Sequence, residues 1–269
     1  MEIGCSSYTF RREFASRTLD LLGFVALAPD LGLDCIEVLT SDFPSVSRRF
    51  LAELTVQLSR FPVRLSALSP ANDFAHPDAD ERRRQCDDLV AWMHIARELD
   101  VGILRTFTGH LHPGIDPAQA ERWVLDCYAR VLSEAERTNV TLAVENHDAV
   151  MHSAAELERL VMHFGSASLQ LNPDPTNFVP GHAEKTETER ERIYTELERI
   201  ARFAVHAHLK IGPFDERGRP DNVNVERLLQ IYRRAAYDGV LSFEMFRDGD
   251  ATETVKKAVA FLRPLLDTV

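Results

Sequence analysis

Apolar and polar positions along the 269-residue chain switch repeatedly between two periods. Short β-rich runs at 2–7 (EIGCSS), 35–39 (CIEVL), 63–68 (VRLSAL) and 102–107 (GILRTF) read as strands. Four more follow at 140–145 (VTLAVE), 168–172 (SLQLN), 205–210 (VHAHLK) and 240–245 (VLSFEM). Amphipathic helical stretches lie between them. The clearest is 81–100, where Leu89, Trp92, Met93, Ala96 and Leu99 fall on one face. Asp116 before Pro117, and Ser153 with Glu156 three residues on, mark helix starts. The charge-rich stretch 184–199 keeps an apolar stripe through Ile193, Leu197 and Ile200, which predicts a solvated helix.

Eight strand–helix units of about 34 residues suit right-handed parallel crossovers, and eight closes a parallel barrel. An open doubly wound sheet would usually place a glycine-rich phosphate turn after its first strand, and none is present. The length is near the roughly 250 residues of one such barrel, and no linker or low-complexity segment interrupts it. The expectation is an α/β fold, a single (β/α)8 TIM barrel over residues 1–269.

Composition is that of an ordinary globular chain, with 45% hydrophobic and 27% charged residues. The formal charge of −11 argues against nucleic acid and anionic lipid as partners. No apolar run approaches a membrane span and the N-terminus MEIGCSSYTF lacks a signal-peptide pattern, so the expected location is cytoplasmic. Cys5, Cys35, Cys86 and Cys127 are scattered and read as reduced thiols. A homo-oligomer is compatible with all of this.

Chemistry in such a barrel belongs at the C-terminal ends of the strands. Strand 5 ends in Glu145, strand 6 runs into Asp174, strand 7 carries His208 and strand 8 ends in Glu244. The separations of 29, 34 and 36 residues are each close to one βα unit, so four adjacent strands deliver these groups to one mouth. Any one of them taken singly could be structural. Three carboxylates packed together would repel unless a cation neutralised them, which points to a divalent metal. Three oxygen ligands and one imidazole suit Mn²⁺ first, with Mg²⁺, Co²⁺, Fe²⁺ or Zn²⁺ as other choices.

VENH at 144–147, NPDPTNF at 172–178, HAHLK at 206–210 and SFEMF at 242–246 resemble signatures of the xylose-isomerase-like barrels. GLDCIEV at 32–38, NDF at 72–74 and RTFTG at 105–109 extend the resemblance over essentially the whole chain. That superfamily includes sugar isomerases and epimerases, inosose and dehydroshikimate dehydratases, and endonuclease IV. The resemblance implies that Glu145, Asp174, His208 and Glu244 hold one metal ion. It also favours His208 over His206 as the ligand, leaving His206 as a hydrogen-bonded interior residue. The usual Asp after H-L-K is Ile211 here.

A metal beside two glutamates suits proton abstraction next to a carbonyl. Glu145 and Glu244 match the pair that does this work in ketose 3-epimerases. The leading expectation is therefore a metal-dependent isomerase or epimerase acting on a sugar or related polyhydroxy carbonyl compound. Two departures separate the chain from ketohexose epimerases: Met151 stands where those enzymes carry a further Glu, and Asn177 where they commonly carry His. The alternative is a metal-assisted lyase or dehydratase working by β-elimination. His147, two residues past Glu145, would serve as its acid–base group, as a matching histidine does in lyases that cleave C-glycosides of 3-oxo-sugars. A non-catalytic sugar-binding subunit is a third reading, against which stand the four intact ligand positions.

Further substrate-binding candidates are Asn177, His110, Lys210, Arg217 and Tyr8, with His112, Arg219 and Phe246 as weaker neighbours. Loop histidines and a solvated DERGRPDN loop are the plain alternatives for His110 and Arg217. Glu37 and Arg105, ending strands 2 and 4, read as a buried ion pair. Strand 3 leads into SPANDF with no histidine, which with the acidic charge argues against a three-metal nuclease.

Overall fold

The computed structural model describes residues 1–147, 150–179, 185–245 and 249–267. Eight parallel strands form its centre: β1 (Glu2–Ser6), β2 (Cys35–Leu39), β3 (Arg64–Ser69), β4 (Ile103–Thr106), β5 (Thr141–Glu145), β6 (Leu169–Asn172), β7 (Ala207–Leu209) and β8 (Val240–Phe243). Their order is β6-β5-β4-β3-β2-β1-β8-β7, so each strand lies beside its sequence neighbour and β1 pairs with β8. The seam between β6 and β7 has no ladder. Val205 N–H donates to Leu171 C=O at 3.0 Å and His208 N–H to Pro173 C=O at 3.0 Å, which draws the barrel nearly closed. The architecture is the expected α/β TIM barrel, and each strand falls within two residues of its expected bounds.

Among the described residues the outer ring comprises α1 (Arg11–Ser16), α2 (Leu21–Leu27), α3 (Arg48–Leu58), α4 (Ala79–Glu98), α5 (Pro117–Thr138), α6 (Ala154–Phe164), α7 (Glu187–Ile200), α8 (Val225–Arg234) and α9 (Ala251–Asp267). Their starts are fixed by side-chain caps. Asp20, Ser47, Asp78, Asp116 and Asn224 each accept from a backbone N–H of the first turn. Ser153 and Thr186 form capping boxes with Glu156 and Glu189. The stretch expected as a helix over 184–199 thus begins at its Thr186 cap, with residue 184 outside the described residues. The expected stripe of Ile193, Leu197 and Ile200 is buried. No described helix is long and apolar enough to cross a membrane.

One irregularity positions interior groups. Ile36 of β2 faces Leu65, but Glu37 faces Ala67, so Ser66 is an extra residue on β3. The bulge lets Ser66 and Ser69, three residues apart, both reach partners inside the barrel.

Candidate metal centre

The barrel interior carries two polar levels between β2, β3 and β6–β8. At the lower level His206 is fully buried, with Nδ1 3.2 Å from Asn172 Oδ1 and Nε2 3.2 Å from Ser66 Oγ. Both ring nitrogens are therefore engaged, and burial pushes the imidazole down to about 4. This is the hydrogen-bonded interior histidine the sequence suggested.

The next level is organised by Glu37. Its carboxylate accepts from Ser69 Oγ at 2.5 Å and from Ser242 Oγ at 2.8 Å. His208 Nε2 lies 3.1 and 2.9 Å from its two oxygens. Burial alone would raise the Glu37 carboxyl, but the charge and hydrogen bond of His208, with Arg105 behind them, hold it well below the usual carboxylate range. The expected Glu37–Arg105 pair is the looser contact. Arg105 Nε is 4.0 Å from Glu37 and 3.5 Å from Glu145 Oε2. The guanidinium stacks over Phe107, 3.9 Å from the ring centre, and sits closer to the site than an ion pair with Glu37 alone would place it.

With Nε2 committed to Glu37, His208 turns Nδ1 toward the mouth. Glu145 Oε1 lies 3.3 Å from it and Glu244 Oε2 3.8 Å. Burial opposes the imidazolium, but Glu37, Glu145 and Glu244 together hold it well above its ordinary range. Glu145 is held low in turn: burial works against its ionised form, and His208, Arg105 and Lys210 outweigh it.

Asp174, two residues past β6, is fixed by its neighbours. The Asn146 carboxamide accepts from Asp174 N–H at 2.7 Å and donates to its C=O at 2.8 Å, so one side chain copies a rung of the β5–β6 ladder. Thr176 donates through N–H and Oγ1 to Asp174 Oδ1, at 3.0 and 2.7 Å, which leaves Oδ2 for the cluster.

The buried polar atoms without a hydrogen bond here include Glu145 Oε2, Asp174 Oδ2, His208 Nδ1 and Glu244 Oε2, one from each expected ligand. Ligand atoms of these four residues all lie within 4.8 Å of one another. Asp174 Oδ2 and Glu244 Oε2 face the Lys210 ammonium at 2.6 and 3.0 Å, and the buried set of three anionic oxygens and an imidazole nitrogen fits a divalent ion with nitrogen and oxygen ligands. Glu37, His206 and His208 also converge within 4.8 Å, but the hydrogen bonds of His206 and Glu37 already occupy that set.

The sequence profile of the xylose isomerase-like TIM barrel family matches residues 25–265. The chain belongs to this family. Among curated proteins, none matches the sequence. Among solved structures, this family member is similar to a D-psicose 3-epimerase from Clostridium cellulolyticum H10 solved with D-tagatose, with 15% identity, TM-score 0.82 and 99% of each chain covered. An L-ribulose 3-epimerase gives 19% identity and TM-score 0.77 over 99% of this chain and 95% of that one. A probable 3-DHS dehydratase from Bacillus anthracis gives 14% and 0.73 over 97% and 99%. At these identities the likeness is one of fold.

The remaining candidates of this barrel are less uniform. Asn177 donates to Glu145 Oε1 at 3.1 Å and accepts from Lys210 Nζ at 2.9 Å, so both line the centre. Tyr8 is half-buried just past β1, its ring 4.9 Å from the Arg11 guanidinium, and Arg11 bonds Met245 C=O beyond β8. His147 is exposed at the rim with its ring 4.9 Å from that of Phe107. His110 is exposed, with its N–H on Asp73 Oδ1 at 3.0 Å, and His112 pairs with Asp73 at 2.7 Å. Arg217 is exposed on a turn closed by Asp215. Among the described residues, no converging metal-ligand group includes His110 or His112. Phe246 lies outside the described residues. Three groups that build the site went unread in the sequence: Ser69 and Ser242, which have no signal there, and Asn146, whose place in VENH could have drawn attention.

Proposed function

We propose that the chain is a divalent-metal-dependent isomerase or epimerase acting on a sugar or related polyhydroxy carbonyl compound. The observation that supports it is the convergence within 4.8 Å of buried ligand atoms, one each from Glu145, Asp174, His208 and Glu244. Mn²⁺ is the ion best matched to that donor set, with Mg²⁺, Co²⁺, Fe²⁺ and Zn²⁺ as alternatives. When bound, such an ion polarises a carbonyl and lowers the acidity barrier of the adjacent C–H.

The chain supplies the proton chemistry. Glu145 and Glu244 rise from strands separated by β6 and β7 and flank His208 Nδ1, so a ligand between them meets a carboxylate on each side. His208 and Arg105 keep Glu145 ionised, the form in which a carboxylate can act as base. One carboxylate takes the proton next to the carbonyl, and the other, once protonated, returns one to the opposite face. Asn177 orients Glu145, and its amide together with Lys210 offers hydrogen bonds to substrate hydroxyls.

His147 supports a second reading, metal-assisted β-elimination. It stands exposed two residues beyond Glu145, where an imidazole can protonate a departing group. The likeness to a probable dehydratase is consistent with it.

Metal content is the first test. Purified protein should carry about one divalent ion per chain after reconstitution, and Glu145→Gln and Glu244→Gln should lose it or hold it weakly. No ion bound from Mn²⁺, Mg²⁺, Co²⁺, Fe²⁺ or Zn²⁺ would refute the reading. A sugar panel in D₂O then separates the two chemistries. Solvent deuterium in an isomeric sugar supports isomerisation, whereas release of water or an aglycone supports elimination.

A further inference from the structure

Lys210 follows β7 and is buried, yet its ammonium is not simply aimed at the open mouth. Nζ lies 2.6 Å from Asp174 Oδ2 and 3.0 Å from Glu244 Oε2. These are two of the four converging ligand atoms. The backbone that carries Lys210 is pinned: Asn222 Nδ2 donates to Lys210 C=O at 2.8 Å, and Asn222 Oδ1 accepts from Gly212 N–H at 3.0 Å. Its range is therefore set by its own side-chain torsions. Within that range Asn177 Oδ1, at 2.9 Å, is a neutral acceptor that is not a member of the ligand group.

From this geometry we propose that Lys210 is a built-in competitor of the metal ion, contending for Asp174 and Glu244 and yielding to Asn177 when the ion takes them. The proposal rests on the metal reading above. Two cations cannot share the same carboxylate oxygens at full strength, because each lowers the potential that attracts the other. Lys210 therefore weakens metal binding and supplies the charge that lets three buried carboxylates coexist whenever no ion is bound. A residue that merely shaped the site would do the reverse, since its loss would loosen the ligands and weaken the ion. The two roles thus predict opposite signs.

The test is isothermal titration of Mn²⁺ into the chelator-stripped full-length chain, alongside Lys210→Met, with thermal unfolding measured in chelator and in excess Mn²⁺. Lys210→Met should bind Mn²⁺ about tenfold tighter or more, unfold at lower temperature in chelator, and gain more from Mn²⁺ than the unaltered chain. If Lys210→Met does not fold, Lys210→Gln, which keeps a donor for Asn177, carries the same test. Equal or weaker Mn²⁺ binding by the neutral variant overturns the proposal while leaving the metal site standing. No Mn²⁺ binding by any of the chains overturns the metal reading itself, and the competition with it.

Discussion

Replacing Glu37 by Gln tests whether the barrel's polar level is held by charge or only by shape. The substitution keeps volume and one carbonyl oxygen but removes the anion. Glu37 accepts from His208, Ser69 and Ser242 without exposure to water, at distances between 2.5 and 3.1 Å. Breaking a buried ion pair by neutralising one partner costs about 3–5 kcal/mol. Rotation of the two serine hydroxyls to accept from the new amide recovers part of this, so we expect a loss of about 3 kcal/mol at neutral pH. For a chain of this size that lowers the melting temperature by roughly 6–12 °C.

The pH dependence gives the sign. The folded carboxyl of Glu37 titrates well below its unfolded counterpart. Its contribution is therefore full above the unfolded carboxylate range and is lost as pH falls toward the folded value. Urea unfolding of both chains in chelator should thus show a gap that is widest near neutrality and narrows in acid. With Mn²⁺ present, affinity should fall by about 10–100-fold, because His208 loses the partner that orients Nδ1. A gap below about 1 kcal/mol at pH 7, or one that persists undiminished in acid, would refute the charge-based account.

Three further outcomes follow from other contacts. His206→Gln should flatten the acid limb of the stability curve: the buried ring resists protonation down to about 4 while the unfolded one titrates near 6.5, so the unaltered chain loses up to about 3 kcal/mol over that window as pH falls. A pH-independent difference between the two in urea melts would contradict this. Asn146→Leu should cost about 2–4 kcal/mol by orphaning both backbone groups of Asp174, and should weaken Mn²⁺ binding in titration. Gly109→Ala should destabilise by about 1–3 kcal/mol in thermal melts, since Gly109 has φ +117° and a Cβ there would collide with Asp73 and sit 2.7 Å from Ala75 N.

The strands were legible because each is a short β-rich run bounded by turn residues, and the four candidate ligands because barrel geometry converts spacing into position. Depth was not legible. Glu37 looked like the partner of Arg105, since both end strands facing one interior; the structure instead sets His208 at 2.9 Å and Arg105 at 4.0 Å. Pairing across a barrel depends on stagger, and here also on the extra residue Ser66, which no periodicity reveals. Lys210 was readable as a cation near the mouth, but its closeness to Asp174 and Glu244 depends on the torsions of a long side chain. Asn146 was hidden for another reason: its task is performed on a neighbour's backbone, which has no letter of its own.

That task has a bearing on how such a barrel tolerates change. Because the Asn146 side chain carries the last β5–β6 rung, Asp174 takes its place from that side chain and not from the backbone of a longer β5. A change of side chain at the exposed His147, the next residue, would therefore leave Asp174 where it is. The candidate ligand and the exposed rim beside it can thus diverge independently.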